Sequence, residues 1–171
     1  FDTYIALARY ALFMNGRKAA NVDACKAIWA DIDAGKAGSK YSSSSEALAA
    51  LGEFIKSTGL MPTILVSSGM GLHAYWTFTK AVTADQWKRI ASGFHQLCVE
   101  KGLDVDPTRA EDLASVLRLP GTVHSKTGRA VQILWSIPND IPPADFVRKM
   151  ASQITNTAPV SAPPKRVNAT Q

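Results

Sequence analysis

The sequence predicts an α+β fold, with a mainly antiparallel sheet and helices packed on one face. Two observations carry this prediction: short apolar runs alternate with amphipathic segments of helical spacing, and the clearest run alternates apolar and polar residues. The chain has 171 residues, of which 46% are hydrophobic, and no internal repeat. That is enough for a domain with its own core.

The first half of the chain begins with two apolar segments. Residues 26–33 are predicted to form a buried strand, whereas residues 3–14 favour a helix over a strand. The serine run 43–45 offers N-cap hydroxyls to a helix that ends at Gly59. This helix separates the first strand from the next ones.

Two further strands are predicted at Thr63–Val66 and Leu72–Phe78, joined by a Ser/Gly-rich turn. In the second of them, His73, Tyr75 and Thr77 share one face, and the opposite face is apolar. One face of this strand is therefore predicted to meet the core and the other to carry polar groups.

The second half continues the alternation. Thr83 and Gln86 form a capping box that starts a helix reaching Gly102. A strand over Val131–Trp135 and a helix beginning near Pro143 follow. These elements complete the α+β pattern.

The last residues differ in composition from the rest. Residues 155–171 lose apolar periodicity and are rich in proline, so they are predicted to be a flexible linker or tail toward a further C-terminal domain. The folded domain is predicted to span residues 1–154. The chain opens on Phe1 rather than Met, which indicates a fragment of a longer protein.

The charge balance is basic, with a formal net charge of +5 and a pI of about 9.3. This suits a protein that attracts polyanions, although charge alone is a weak signal. Two distant cysteines, Cys25 and Cys98, argue against a zinc site or disulfide framework. The absence of a signal peptide or long apolar run predicts an intracellular, cytoplasmic protein without a membrane partner.

Asp31 and Asp33 stand at the end of the first predicted strand. Alternation puts both carboxylates on one face, about 7 Å apart, with Ile32 on the other. Two such carboxylates need protons, an arginine or a divalent metal ion to neutralise them. The alternative is a solvated turn, in which Asp is common.

The Ser/Gly-rich turn Ser67–Gly71 leads into His73. Glycines allow backbone N–H groups to approach an anion closely, and a protonated or N–H-donating histidine can neutralise a phosphate oxygen. The alternative is a hydrogen-bonded core histidine.

A third polar group combines Asp106, held extended by Pro107, with Arg118 and Lys126 around a Pro-Gly-Thr turn. Both cations suit phosphate, arginine through bidentate contacts and lysine as a compact charge. The alternative is an ordinary surface loop. Together, three carboxylates, a histidine and two cations are the residue types of metal-assisted phosphoryl transfer.

These motifs, in this order, resemble the archaeo-eukaryotic primase superfamily, in particular the primase-polymerase domains of phages and plasmids. The match consists of Asp31-Ile32-Asp33, Ser68–His73, Val105-Asp106, and Leu117–Thr122 with Lys126. It covers roughly residues 1–137. Two positions depart from the usual pattern: Met70 in the glycine turn, and His124 where asparagine is commoner.

The resemblance implies an RRM-like palm joined to a second small α/β unit. Asp31, Asp33 and Asp106 would be catalytic and hold Mg²⁺ or Mn²⁺. The residues that would contact the phosphates of an NTP or dNTP are Ser68, Gly69, His73, Arg118 and Lys126. The implied activity is primer synthesis or extension on single-stranded DNA in replication, with extension the safer expectation, and a helicase as fused or separate partner.

Two other functions stay open from the residues alone. A two-metal nuclease would use the same carboxylates on water. A catalytically silent nucleic-acid-binding module of a replication initiator would use the basic surface, with Tyr75 or Trp76 stacking on bases. The apolar face around Trp76 favours a core position for that residue.

Overall fold

The computed structural model describes residues 2–11 and 16–153. The predicted linker, residues 155–171, lies outside them. The elements, in chain order, are β1 Tyr4–Ala6, β2 Ala8–Tyr10, β3 Val22–Ile32, α1 Ser44–Thr58, β4 Ile64–Ser67, β5 Leu72–Thr83, α2 Ala84–Glu100, α3 Pro107–Ala110, β6 Val116–Arg118, β7 Gln132–Ser136 and α4 Pro143–Gln153.

The strands form two antiparallel sheets. One has five strands in the order β2-β3-β5-β4-β7, and the other consists of β1 and β6. The long strands β3 and β5 lie side by side inside the larger sheet, with Asp31 opposite His73. The predicted α+β class is confirmed, and the register already places two of the three polar motifs together.

The core is built around Trp76, whose side chain is fully buried. Its ring contacts Phe54 of α1, Phe94 of α2 and Phe146 of α4, with centroid separations of 6.4, 4.7 and 6.5 Å. Three helices therefore cover one face of β5, as the alternation predicted. The core position expected for Trp76 is confirmed.

Both long helices begin and end where the sequence predicts. Ser43 accepts a hydrogen bond from the backbone N–H of Glu46 at the start of α1, and Gly59 ends it in the left-handed region at φ 68°. Thr83 and Gln86 form the predicted reciprocal capping box of α2.

The helix predicted over residues 3–14 is wrong. Tyr4–Ala6 and Ala8–Tyr10 are strands, and residues 12–15 are outside the described part. β1 pairs with β6, and β2 pairs with β3. Without these partners, an edge of β6 and an edge of β3 would be open. These tertiary hydrogen bonds outweigh the weak helical preference of a short apolar segment.

Both cysteines are buried free thiols. Burial raises the pKa of the Cys25 thiol to about 12 and shifts the pKa of Cys98 in the same direction. Among the described residues, no helix has the length and apolar character needed to cross a membrane.

Candidate active site

The first motif lies at the end of β3. Ile32 is completely buried, while Asp31 and Asp33 are both partly exposed, as strand alternation requires. β3 ends at Ile32, so Asp33 belongs to the following turn, where its carboxylate pairs with Lys36 at 2.5 Å. The charge of Asp33 acts on Asp31, but the two acids have different immediate neighbours.

The third carboxylate is brought to the first by a backbone contact. The N–H of Asp106 donates to the carbonyl oxygen of Asp31 at 2.8 Å. Asp106 is extended, at φ −66° and ψ 109°, and caps α3 by accepting from the N–H and hydroxyl of Thr108 at 2.9 and 2.7 Å. The Pro107 restriction predicted for this residue is consistent with that conformation.

Asp31 has the most perturbed environment of the three. Its side chain is only 18% exposed, and burial, followed by the charges of Asp33 and Asp106, raises its pKa to about 7. The positive charges of Lys36 and Arg109 act in the opposite direction but do not compensate. The three carboxylates therefore influence one another, and ionised Asp31 lacks sufficient nearby positive charge.

The three acids have the donor atoms of a divalent-cation site but not its arrangement. Within residues 2–11 and 16–153, no three His, Cys, Asp or Glu side chains converge closely enough to hold a metal ion. Asp33 is turned to Lys36, and Asp106 to Thr108. The donor atoms nevertheless suit a divalent cation, because hard cations bind carboxylate oxygens. A cation would also supply the positive charge that ionised Asp31 lacks. To reach a shared ion, the carboxylates of Asp33 and Asp106 would both have to reorient.

His73 lies across from Asp31 on β5, with Nε2 3.7 Å from Oδ1. Burial, and then the charge of Arg118, lowers the pKa of His73 to about 3, so the ring is neutral near pH 7 and the contact is not an ion pair. Its Nδ1 has no hydrogen-bond partner among the described residues. Of the two roles predicted for His73, the neutral N–H donor agrees with this environment.

The Ser/Gly turn closes on itself and packs tightly. The Ser68 N–H donates to the Gly71 carbonyl at 2.9 Å, and the Gly71 N–H donates to the Ser68 hydroxyl at 3.1 Å. A Cβ on Gly71 would lie 2.1 Å from the Ile32 carbonyl oxygen, and one on Gly69, at φ 94°, would lie 2.6 Å from Cβ of His124. The glycines thus permit close packing against β3 and the His124 loop, a reason the sequence did not indicate.

Both departures from the usual motif pattern lie at this turn. The Met70 carbonyl accepts a hydrogen bond from the Ser44 hydroxyl at 2.7 Å, which ties the turn to the start of α1. His124 is buried against Gly69, and its Nδ1 has no partner within the described residues. Neither residue was given a role from the sequence.

Arg118 lies on β6, half-buried and close enough to His73 to lower the pKa of that ring. Its guanidinium donates to the Asp2 carboxylate and to the Tyr4 hydroxyl, each at 3.3 Å. Lys126 is exposed and forms no ion pair with a described residue. The sequence gives no signal for the contact with Asp2, since the two residues are 116 positions apart.

The structure brings most of the predicted site residues to one end of the β3–β5 pair. Those linked there by register, hydrogen bonds or electrostatic influence are Asp31, Asp33, Asp106, His73 and Arg118. Ser68 and Gly69 shape the adjoining turn, and Lys126 extends from the loop after β6.

Sequence comparison finds no matching family model and no matching curated protein. Solved structures do match. The archaeo-eukaryotic primase (AEP) domain of the cyanophage S-2L primase-polymerase has a TM-score of 0.69 at 21% identity, covering 88% of this chain and 70% of its own. The catalytic domain of primase RepB′, solved with initiator DNA, has a TM-score of 0.50 at 18% identity, covering 75% and 59%.

Proposed function

We propose that this chain, which has the fold of the archaeo-eukaryotic primase-polymerase domain, is a metal-dependent nucleotidyltransferase that extends a primer along single-stranded DNA. The observation that carries the proposal is the 2.8 Å hydrogen bond from the Asp106 N–H to the Asp31 carbonyl. It brings a third acidic residue, Asp106, beside Asp31 at the end of β3.

Asp31, Asp33 and Asp106 would hold Mg²⁺ or Mn²⁺. A bound ion would activate the primer 3′-hydroxyl and neutralise charge on the leaving pyrophosphate. Asp33 would exchange Lys36 for the ion, and Asp31, whose pKa is raised to about 7, would give up its proton as the ion binds. Nucleotide addition would therefore be coupled to ionisation of a buried carboxyl.

The triphosphate of an NTP or dNTP would lie against the cationic side of the site. Arg118 is the half-buried cation there, and Lys126 has no described ion-pair partner that competes for it. The neutral ring of His73 can donate an N–H to a phosphate oxygen without a net charge. Ser68 and Gly69 would act by holding the turn, since the Ser68 hydroxyl already binds Gly71.

The remaining assignments follow from the same proposal. A net charge of +5 suits a single-stranded template and primer, and one structural neighbour was solved with initiator DNA. We propose residues 1–154 as the catalytic domain and residues 155–171 as a linker toward a further domain such as a helicase. Primer extension is proposed rather than primer initiation. An intracellular location stays a prediction.

The test is extension of a labelled primer on single-stranded DNA by wild type and by Asp31→Ala/Asp33→Ala. We expect the double variant to lose activity by at least about 100-fold, since even indirect metal contacts are worth 10–100-fold. Asp104→Ala removes an exposed carboxylate from the same region and should retain activity. Full extension by the double variant would refute the proposal.

Two further measurements separate the other candidate functions. Shortening of single-stranded DNA with metal but without nucleotides would identify a nuclease. Absence of Mg²⁺ or Mn²⁺ binding by calorimetry, together with retained DNA binding, would identify a catalytically silent module.

A further inference from the structure

The carboxylate of Asp2 is held by donors of the kind that also bind phosphate. One oxygen, Oδ1, accepts from Arg118 Nε at 3.3 Å and from the backbone N–H of Ser125 at 3.0 Å. The other, Oδ2, accepts from the Ser125 hydroxyl at 2.5 Å. The Asp2 and Arg118 side chains are only 22% and 19% exposed. The sequence gives no signal for this cluster, because Asp2 is 116 and 123 positions away from its partners.

Tyr4 contacts the Arg118 guanidinium from another side. In the β1–β6 pairing Tyr4 lies opposite Arg118, its hydroxyl accepts from Nη2 at 3.3 Å, and its ring centroid is 5.3 Å from the guanidinium carbon. The Leu119 N–H donates to the Thr3 carbonyl at 3.0 Å, which extends the strand contact. Nη1 of Arg118 has no hydrogen-bond partner among residues 2–11 and 16–153.

The contacts of Asp2 favour its ionised form. The hydrogen bonds from Ser125, reinforced by Arg118, hold the pKa of the Asp2 carboxyl well below its usual range. The Asp2 carboxylate is therefore a charged acceptor on the Nε side of Arg118. The charge of Arg118 in turn lowers the pKa of His73. The guanidinium is planar, so fixing Nε and Nη2 fixes the direction of the remaining N–H groups as well.

We propose that Asp2 and Tyr4 are positioning residues, which orient Arg118 so that Nη1 faces the phosphates of the incoming nucleotide. This inference rests on the proposed function for the role of Arg118. An arginine side chain has several rotatable bonds, and an anchored guanidinium loses less freedom when phosphate binds. The short β1–β6 sheet thus supplies part of the nucleotide site from the opposite end of the sequence.

Steady-state primer extension at varied dNTP concentration tests the proposal on the full chain. We expect Asp2→Ala to raise the KM for dNTP by about 10-fold, the scale of outer-shell contacts, with kcat within about twofold. Asp2→Glu should recover part of the loss. In an Arg118→Ala background, Asp2→Ala should add nothing, because both changes remove the same interaction.

A matched variant separates orientation from strand stability. Ile5 directly follows Tyr4 on β1, is 42% exposed, and pairs with Leu117 rather than Arg118. Ile5→Gly should weaken β1 while leaving the Asp2 carboxylate in place, and it should alter the KM far less than Asp2→Ala. Equal effects of the two would overturn the positioning role, as would an unchanged KM in Asp2→Ala. A lowered KM would mean that Asp2 competes with phosphate instead.

A readout that needs no activity distinguishes this inference from the proposed function. In ¹⁵N-arginine NMR spectra, the Nε–H of Arg118 should exchange slowly with water in wild type and rapidly in Asp2→Ala. Rapid exchange in both would refute the anchoring itself. If anchoring holds but Arg118→Ala leaves the KM for dNTP unchanged, then the role proposed for Arg118 in nucleotide binding fails, and the positioning role fails with it.

Discussion

Replacing Asp31 by asparagine is expected to make the metal-free protein more stable at alkaline pH. The carboxyl has a pKa of about 7 in the folded chain, against an ordinary value of 3.8. The folded state therefore binds the proton more tightly than the unfolded state. The stability contributed by protonated Asp31 is fully present below pH 3.8 and is lost as the pH rises through about 7.

The size of the effect follows from the two pKa values. Their difference corresponds to about 4 kcal/mol of unfolding free energy above pH 7, taken as an upper limit. Asparagine resembles the protonated acid and does not titrate, so Asp31→Asn should match wild type near pH 4 and exceed it by up to that amount at pH 8. The lowered pKa of His73 makes the unfolding free energy rise with pH below pH 6.5, which is the opposite trend. Wild type and Asp31→Asn share this contribution, so it cancels in the difference between them.

Urea unfolding followed by circular dichroism, from pH 4 to pH 8 with a chelator present, measures this difference. Glu53→Gln is a suitable control, because that side chain is 75% exposed and lies on α1. The unfolding free energy of Glu53→Gln, plotted against pH, should run parallel to that of wild type. A constant separation between wild type and Asp31→Asn at every pH would refute the electrostatic argument. Added Mg²⁺ should narrow the gap at pH 8 by stabilising the ionised carboxylate.

Three further outcomes are expected. Gly71→Ala should lower the unfolding free energy by several kcal/mol, since its Cβ would meet a β3 carbonyl oxygen at 2.1 Å, whereas Gly52→Ala, in open space on α1, should raise it by about 1 kcal/mol. At pH 4, where Asp31 is protonated, Asp106→Asn should leave the free energy of unfolding in urea nearly unchanged, because asparagine also caps helices, and Asp106→Ala should lower it by about 1 kcal/mol; both variants should abolish primer extension. Lys36→Ala should tighten Mg²⁺ binding measured by calorimetry, because Asp33 then has no cation to release.

The parts of the site that follow from local rules could be predicted from the sequence. Alternation along β3 turns Asp31 away from the face of its buried neighbour Ile32, and alternation along β5 places His73 on the face opposite Trp76, whatever the tertiary contacts. The Thr83 capping box is likewise settled within four residues. These features depend on residues that are close together in the chain, so the sequence pattern alone is enough to predict them.

Contacts between distant segments could not be predicted in this way. The strand β1 exists because β6 offers it an edge, and no local signal distinguishes such a strand from an apolar helix. The anchoring of Arg118 by Asp2 and the steric need for glycine at position 71 depend on the same long-range packing. The pairing of Asp33 with Lys36, by contrast, joins residues only three positions apart, so local sequence rules are enough to predict it.

Trp29 and Trp87 give the site a built-in optical reporter. Their rings lie 4.6 Å apart with an interplanar angle of 31°, close enough for their electronic transitions to couple. Trp29 precedes Asp31 by two residues, and its indole N–H donates to the carbonyl of Arg109 in α3, the helix that Asp106 caps. A shift of α3 as Asp106 turns toward an ion would alter this pair's near-ultraviolet dichroism, so ion binding can be followed without any label.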